Sequence, residues 1–265
     1  MPVLRFDHTA SARLERAYTT ADVQAQRDEV RRSLAAAPNE RILDLGSGPG
    51  LLACELAAEV RPRGTIDGVD VSAEMNALAA RRIAAAGLEG RVRLVVGDAA
   101  ALPFPDGSLD AAVSTQVLEY IEDVDAALRE LRRVLRPAGR VVLVDTEWDT
   151  LVWSARDQTR AARILEAWRP HAPHPSLPRT LAPRLRRAGF DVEEIRAITL
   201  LNTSYDEDTY SYNMAALIAD FVRAREALPD ETVAEWLTEL TQLDQDGEYF
   251  FSLNRYLFRA GRAAV

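Results

Sequence analysis

The chain contains one cysteine and no lysine among its 265 residues. The single thiol, Cys54, excludes an intrachain disulfide and a cysteine metal cluster, so we expect it to act as a small buried apolar side chain. The absence of lysine excludes Schiff-base chemistry and a lysine general base. With only three histidines and no acidic cluster at ligand spacing, we expect no metal site.

Long apolar runs are also missing, and the first residues lack the basic-then-apolar pattern of a secretory signal. We therefore expect a cytoplasmic location. Acidic residues outnumber basic ones by 41 to 32, which gives a formal net charge of −9. This charge argues against nucleic acid or an anionic membrane surface as the partner.

A glycine-rich turn follows the first predicted strand, in the run Ile42-Leu-Asp-Leu-Gly-Ser-Gly-Pro-Gly50. Its three glycines let the backbone turn sharply and approach a ligand closely. Asp70 ends the next predicted strand, about 20 residues later, where a carboxylate can accept hydrogen bonds from a ribose. The pattern predicts a nucleoside-bearing cofactor at the carboxyl ends of these strands.

The spacing of the glycines argues against a dinucleotide. Leu51 stands where the dinucleotide fingerprint has its third glycine, and this weakens the case for a pyrophosphate at the helix N-terminus. Asp44, inside the strand, is suited to a cationic ligand, directly or through water, and is an awkward neighbour for a pyrophosphate. The alternative for Asp44 is a buried carboxylate bonded to loop amides.

Five predicted strands alternate with helices between residues 41 and 145, which predicts a parallel, doubly wound α/β sheet. The strands span residues 41–45, 65–70, 92–96, 109–114 and 140–145. Before them, residues 10–37 are mostly helical, with Asp22 as the cap of a second piece. After them we expect helices at 159–168 and 180–188, a strand at 190–200, two helices between 206 and 246, and a terminal strand at 249–260.

Six blocks, in this order, resemble class I S-adenosylmethionine-dependent methyltransferases. The blocks are Ile42–Gly50, Gly68-Val-Asp-Val-Ser-Ala-Glu-Met75, Gly97-Asp-Ala99, Leu102-Pro-Phe104, Leu109-Asp-Ala-Ala-Val-Ser114 and Val134-Leu-Arg-Pro-Ala-Gly-Arg140. The chain is most similar to the small-molecule subgroup that includes ubiquinone and menaquinone methyltransferases. The resemblance implies a single Rossmann-like domain of about seven strands, mostly parallel, with an antiparallel C-terminal strand. It also implies a helical N-terminal cap at 10–37, a cofactor-binding core at 38–146, and a substrate-side region with a helical insertion and closing strands at 147–265.

The resemblance also implies S-adenosylmethionine as the cofactor and assigns roles to individual residues. Asp70 should take the ribose hydroxyls, Asp98 the adenine amino group, and Arg27 with Tyr18 the methionine carboxylate. The alternatives are a loop cap for Asp98, a solvated helix face for Arg27, and helix packing for Met75, which should otherwise lie on the adenine. The full set of expected cofactor-binding residues is Tyr18, Arg27, Asp44, Gly46, Ser47, Gly48, Asp70, Val71, Met75, Asp98, Ala99, Ser114, Thr115 and Gln116.

Methyl transfer is an in-line displacement for which the cofactor supplies the reactive group, so the protein must align the reactants and exclude water. A general base is needed only for a weakly acidic acceptor. The first candidates are His171 and His174, followed by Glu147, Asp149 and Tyr120, the last at a position where relatives frequently carry histidine. Trp148 and Trp153, after the fifth strand, either line the acceptor pocket or pack the insertion onto the sheet.

The predicted reaction is therefore methylation at O, N or C of a small organic molecule, which is either quinone-like or a natural product. We expect a small-molecule methyl acceptor, no nucleic-acid or membrane partner, and a monomer or homodimer. Three alternatives stay open: another reaction on the same cofactor, such as a cyclisation or decarboxylation, an NAD-dependent oxidoreductase, and a non-catalytic subunit that retains the fold.

Overall fold

A computed structural model describes residues 15–263, which divide into two compact units. We call residues 27–146, 176–197 and 255–263 the sheet unit, and residues 15–26, 147–175 and 198–254 the helical unit. The described helices are α1 Ala21–Leu34, α2 Leu51–Glu59, α3 Ala73–Ala85, α4 Val124–Val134, α5 Gln158–Trp168, α6 Pro178–Arg187, α7 Tyr210–Ala224 and α8 Asp230–Gln245. The strands are β1 Arg41–Leu45, β2 Thr65–Asp70, β3 Val92–Val96, β4 Leu109–Thr115, β5 Leu135–Thr146, β6 Val152–Trp153, β7 Phe190–Asn202 and β8 Phe251–Arg262.

The sheet unit is built on the strand order β3-β2-β1-β4-β5-β8, and β7 also pairs with β8. Strands β1 to β5 are parallel, whereas β8 runs antiparallel to β5 from Arg140↔Gly261 to Thr146↔Arg255. The predicted doubly wound α/β sheet with an antiparallel C-terminal strand is confirmed. The order reverses between β1 and β4, so their carboxyl ends form the edge where ligands bind in such sheets.

The two faces of the sheet follow from the alternation of side chains along each strand. Leu43 and Leu45 lie on one face and join a buried core with residues of α4 and α6, such as Leu128 and Leu181. Asp44, between them, lies on the opposite face. Each fully buried leucine of this core contributes about 2 kcal/mol of transfer free energy, so the register of β1 is strongly fixed.

Helix ends in the sheet unit follow local capping signals. Ser72 caps α3 by accepting the amide of Met75 at 3.2 Å, and Gly87, at φ 64°, follows its C-terminus. Asp123 caps α4 in the same way, accepting the amide of Ala126 at 2.8 Å.

The prediction that Asp22 is the N-cap of the second helical piece is wrong, because the helix begins one residue before it. Helix α1 begins at Ala21, so Asp22 lies in its first turn, where its carboxylate accepts the amide of Val23 and the hydroxyl of Thr20. Residues 15–19 are helical as expected, and positions 10–14 of that prediction lie outside the described residues.

Strand β5 begins five residues before the predicted start at residue 140. Leu135 pairs with Leu109, and the register then shifts so that Arg140 pairs with Ala111. The residues between them form a bulge, with Ala138 at φ 62°. The Pro137-Ala-Gly139 turn signal therefore marks a bulge inside the strand and does not mark a separate loop.

The helical unit packs α5, α7 and α8 around an aromatic core that includes Trp153, Trp168 and Trp236. Strand β6, which the sequence did not predict, pairs antiparallel with the start of β8 through Trp153↔Phe251. No helix within residues 15–263 is long and apolar enough to cross a membrane.

Candidate active site

The glycine-rich loop between β1 and α2 has a backbone that only glycine adopts freely. Gly46, Gly48 and Gly50 have φ values of 70°, 49° and 77°. A Cβ at Gly46 would lie 2.1 Å from Cγ2 of Val117, and a Cβ at Gly50 would lie 2.9 Å from the Cβ of Ala79. The loop is therefore fixed by close packing as well as by conformation.

Asp70 ties this loop to the end of β2. One oxygen of its carboxylate accepts the amide of Gly48 at 2.9 Å, and the other accepts the amide of Ser72 at 2.8 Å. Burial raises the pKa of Asp70, although both hydrogen bonds oppose that rise. A carboxylate oxygen accepts more than one hydrogen bond, so both oxygens retain the capacity to accept ligand hydroxyls.

Asp44 lies on β1, next to the loop, and is almost fully buried at 2% exposure. Its Oδ2 has no hydrogen-bond partner among the described residues, and the same holds for Oγ of Ser47. Burial raises the pKa of Asp44 to about 7, and the charges of Asp70 and Glu55 add to the rise, whereas a hydrogen bond from the amide of Ala53 opposes it. A nearby cation would favour the ionised form of Asp44.

This donor set fits a cofactor that carries positive charge and a ribose, as S-adenosylmethionine does. Asp44 already places a carboxylate at the first turn of α2, where a pyrophosphate would otherwise bind to free amides. Two anions at one helix N-terminus repel each other. The position of Asp44 and the spacing of the glycines therefore both disfavour a pyrophosphate, and with it a dinucleotide, at this helix N-terminus.

The expected adenine-side residues lie around the ends of β2 and β3. Val71, next to Asp70, is 80% exposed, whereas Met75 is buried at 3% and packs within the structure. Asp98 is exposed, and its Oδ1 accepts the amide of Ala100 at 2.8 Å, so it caps its own loop. Ala99 is buried in the core of the sheet unit. Their roles toward adenine stay predictions, and Val71 offers the exposed apolar surface.

The residues that end β4 divide between the two faces of the sheet. Ser114 pairs with Leu45 and Leu143 and shares their face, so its buried hydroxyl lies on the side opposite Asp44. Thr115 is half-buried. Gln116 has φ 59°, and its amide donates to the carbonyl of Val144 at 2.7 Å.

The two residues expected to bind the methionine carboxylate lie in different units. Arg27, in the sheet unit, is buried, and its Nε donates to Oε1 of Glu55 at 2.9 Å. Tyr18, in the helical unit, is partly buried and packs against the core of that unit. Arg27 thus has a carboxylate partner inside the protein, and its role toward a cofactor stays a prediction.

His171 is buried among aromatic side chains of the helical unit. Its ring stacks on Trp168 with centroids 4.0 Å apart and meets the edge of Trp148 at 4.6 Å, and its Nδ1 lies 2.9 Å from the carbonyl of Trp168. Burial lowers its pKa to about 4, so the imidazole is neutral at neutral pH. Packing alone accounts for its position. Its role as a base stays a prediction.

Two of the other candidate bases are more accessible. His174 is half-buried in the proline-rich connection of the helical unit. Tyr120 is half-buried at the end of a short 3₁₀ turn, Leu118–Tyr120, in the sheet unit. Trp153 is buried in the helical core, where its Nε1 donates to the Tyr249 hydroxyl at 3.0 Å, so packing accounts for it, whereas Trp148 is only half-buried.

Two residues near the loop carry contacts that sequence reasoning did not assign. The guanidinium of Arg82, on α3, donates to the carbonyl of Pro49 and holds the middle of the glycine-rich loop. Asp145, at the end of β5, is fully buried and faces backbone amides after β4. A carboxylate near the end of an apolar strand is the same signal that identified Asp44, and it was available for Asp145. No sequence signal pointed to Arg82.

Comparison with known proteins identifies the same region of the chain. Residues 43–143 match a family model described as a methyltransferase domain. An uncharacterized 37.1 kDa protein in transposon TN4556 of Streptomyces fradiae is 40% identical over 138 residues, which cover 52% of this chain and 39% of that protein. Demethylmenaquinone methyltransferase of Thermus thermophilus is 43% identical over 125 residues, which cover 47% of this chain and 55% of that enzyme.

The chain spans about half the length of the curated relatives it matches. Among solved structures, the cyclase SpnF superposes with a TM-score of 0.60 at 23% identity, over 92% of this chain and 82% of that chain. At that identity the likeness shows the fold alone.

Proposed function

We propose that residues 43–143, which match the methyltransferase domain model, form a class I S-adenosylmethionine-dependent methyltransferase domain, and that the chain transfers the methyl group of this cofactor to a small organic acceptor. The observation that carries the proposal is the glycine-rich loop with Asp44 on β1 and Asp70 on β2 beside it. When bound, S-adenosylmethionine supplies an electrophilic methyl group on a sulfonium cation.

In this proposal each part of the loop region has a distinct binding task. Asp70 accepts the ribose hydroxyls, and Asp44 favours the positively charged end of the cofactor. The backbone from Gly46 to Gly50 runs along the methionine portion, where the missing Cβ atoms allow close approach. The remaining contributors are Tyr18, Arg27, Ser47, Val71, Met75, Asp98, Ala99, Ser114, Thr115 and Gln116.

The chain's own part in the chemistry is alignment of the acceptor and exclusion of water. For a weakly acidic acceptor such as a phenol, a base is needed as well. We propose that His174 and Tyr120 be tested before His171, because the ring of His171 is occupied by aromatic packing and its pKa of about 4 makes it a weak base.

The acceptor class rests on similarity and charge. A demethylmenaquinone methyltransferase and a ubiquinone/menaquinone biosynthesis C-methyltransferase are among the relatives, which favours a quinone-like acceptor or a related natural product. The net charge of −9 disfavours nucleic acid as acceptor.

In this proposal residues 1–265 act as one domain, with a cap at 10–37, a core at 38–146 and a substrate side at 147–265, in a monomer or homodimer. The cytoplasmic location stays a prediction.

The test begins with calorimetry of S-adenosylhomocysteine binding to the full chain. It continues with mass spectrometry of S-adenosylhomocysteine and of products after incubation with phenols, quinols, amines and carboxylates. We expect binding, and a product heavier by one methylene unit with at least one acceptor.

Three results would contradict the proposal in different ways. Stabilisation by NAD without binding of S-adenosylhomocysteine would indicate an oxidoreductase. Conversion of a substrate without release of S-adenosylhomocysteine would indicate another reaction, such as a cyclisation. Failure to bind either cofactor would indicate a non-catalytic subunit.

A further inference from the structure

Asp145 is a carboxylate in the core of the sheet unit with no exposed surface. Burying an ionised carboxylate is costly unless hydrogen bonds or charges compensate it. Burial raises the pKa of Asp145 to about 7, while backbone amides and the charge of Arg255 oppose the rise. The carboxylate lies at the end of β5, beside the edge of the sheet where ligands bind, so the groups that it contacts lie close to that edge.

The carboxylate faces the start of the short 3₁₀ turn that follows β4. Its Oδ1 accepts the amide of Glu119 at 3.2 Å, and the amides of Val117 and Leu118 point at the same group. The first amides of any helical turn lack partners within the turn, and here Asp145 supplies them from a neighbouring strand. Asp145 therefore anchors the start of the turn through the amide of Glu119, with the amides of Val117 and Leu118 beside it.

The neighbouring residues of β5 hold Gln116, which lies two residues before this turn. The hydroxyl of Thr146 donates to Oε1 of Gln116 at 2.5 Å, and the carbonyl of Val144 accepts the amide of Gln116. Gln116 has a left-handed backbone, which a residue other than glycine keeps only when its surroundings hold it. Three consecutive residues of β5 thus fix the segment from 116 to 119.

Val117, in the middle of that segment, packs directly against the glycine-rich loop. Its Cγ2 lies 2.1 Å from the position that a Cβ on Gly46 would take. The amides of Gly46 and Ser47 both donate to the carbonyl of Val69, and Gly48 donates to Asp70. Because the contact between Val117 and Gly46 leaves no free space, a displacement of Val117 also displaces the glycine-rich loop.

We propose that Asp145 is a positioning residue for the cofactor: by holding the amides of residues 117–119, it keeps Val117 against Gly46 and the glycine-rich loop in its binding conformation. This proposal rests on the proposed function, because it concerns the binding of S-adenosylmethionine and its product. It adds a residue that touches neither the cofactor nor the acceptor and acts through Val117.

The main variant is Asp145→Asn, which keeps the size of the side chain but removes the negative charge that strengthens its hydrogen bonds with the amides. We expect the Kd for S-adenosylhomocysteine, measured by calorimetry, to rise about tenfold, the scale of coupling through packed contacts. The matched control is Asp67→Asn. Asp67 is a carboxylate on β2 that is 2% exposed and paired with Arg41 and Arg93. This control should lower the melting temperature and leave the Kd unchanged.

A double-mutant cycle tests the route through Val117. Val117→Ala alone should also raise the Kd, and Asp145→Asn combined with Val117→Ala should raise it by less than the product of the two single effects, because both act on one contact. If Asp145→Asn does not fold, Val117→Ala still decides the route, since an unchanged Kd in that variant would overturn it.

The proposal is also overturned if Asp145→Asn behaves like Asp67→Asn, with lower stability and the wild-type Kd, or if the two effects multiply fully. Failure of the proposed function gives a different result. In that case the wild-type chain itself binds no S-adenosylhomocysteine.

Discussion

Asp22 and Asn202 are separated by 180 positions in the sequence, yet Nδ2 of Asn202 donates to Oδ2 of Asp22 at 2.8 Å. The same amide group accepts at its oxygen the backbone N–H of Ser211, at 2.9 Å. Asp22 in turn accepts the amide of Val23 in the first turn of α1. This one pair thus joins the start of α1, the end of β7 and the start of α7 within the helical unit.

The change Asp22→Asn should destabilise the protein by about 1–3 kcal/mol, because it places one amide nitrogen against another and leaves a donor unsatisfied. The free energy of unfolding in urea measures this. Asp208→Asn, on the exposed loop before α7, serves as the control and should change stability by less than about 0.5 kcal/mol. Equal stability of the two variants would show that the bond contributes nothing.

The Asp22–Asn202 bond illustrates what the sequence could not predict. Strands β1, β2 and β3 were predicted with their observed bounds, because apolar runs between turn residues are local signals. Strand β6 was missed, because its two residues become a strand only by pairing with Ser252 and Phe251, a hundred positions away. The early start of β5 likewise depends on Leu109.

The residues of the candidate site likewise divide into those that local sequence signals predict and those whose contacts form only in the folded sheet. Asp44, Asp70 and the glycines are recognisable from spacing along the chain, because the loop that carries them is continuous. The contact of Val117 with Gly46 and the amides around Asp145 form only when β1, β4 and β5 lie side by side. Spacing along one segment carries no information about such contacts.

Gly46 should tolerate no side chain, and a second glycine provides a matched control. Gly46 and Gly87 have similar φ values of 70° and 64°, but a Cβ at Gly87 would meet nothing within 4 Å. Gly87→Ala should therefore cost only the backbone strain, about 1–2 kcal/mol. Gly46→Ala should cost about 1–3 kcal/mol more through overpacking against Val117, and should abolish binding of S-adenosylhomocysteine.

A second substitution, at Val117, tests whether the clash with this side chain causes the loss of stability in Gly46→Ala. Val117→Ala removes both γ-carbons that a Cβ at Gly46 would meet, so the double variant should be more stable than Gly46→Ala alone. Thermal unfolding of the four proteins measures this. A double variant less stable than either single one would mean that the clash with Val117 is not the source of the loss.

Asp70→Ala should weaken the binding of S-adenosylhomocysteine by about 1–3 kcal/mol, because ribose hydroxyls and the amides of Gly48 and Ser72 lose their acceptor. Calorimetry measures the change. Glu74→Ala removes an exposed negative charge four residues away and should leave the affinity unchanged. An unaltered affinity in Asp70→Ala would overturn the ribose assignment.

The affinity for S-adenosylhomocysteine should rise with pH, because the site must ionise Asp44 to receive a cationic amino group. With a pKa of about 7 in the free protein, Asp44 is mostly protonated at pH 6, and binding then requires release of its proton. We expect the Kd to fall about tenfold from about pH 6 to about pH 7.5. Calorimetry in two buffers of different ionisation enthalpy should show the released proton. In Asp44→Asn the pH dependence should flatten, and a pH profile equal to that of the wild type would contradict the role of Asp44.

Without the ligand, the same carboxyl should have the opposite effect on stability. Its folded pKa lies above the ordinary value of 3.8, so the folded state holds the proton more tightly than the unfolded chain, and stability is lost as the pH rises from about 4 to about 7. Asp44→Asn should therefore gain melting temperature relative to the wild type at about pH 8, and gain less at about pH 5. Asp70, whose pKa is also raised by burial, remains in both proteins, so the comparison measures Asp44 together with its repulsion from Asp70. A difference in melting temperature that does not vary with pH would show that Asp44 is ionised throughout, held by the amide of Ala53, and would remove the reason for expecting its charge to respond to a cationic ligand.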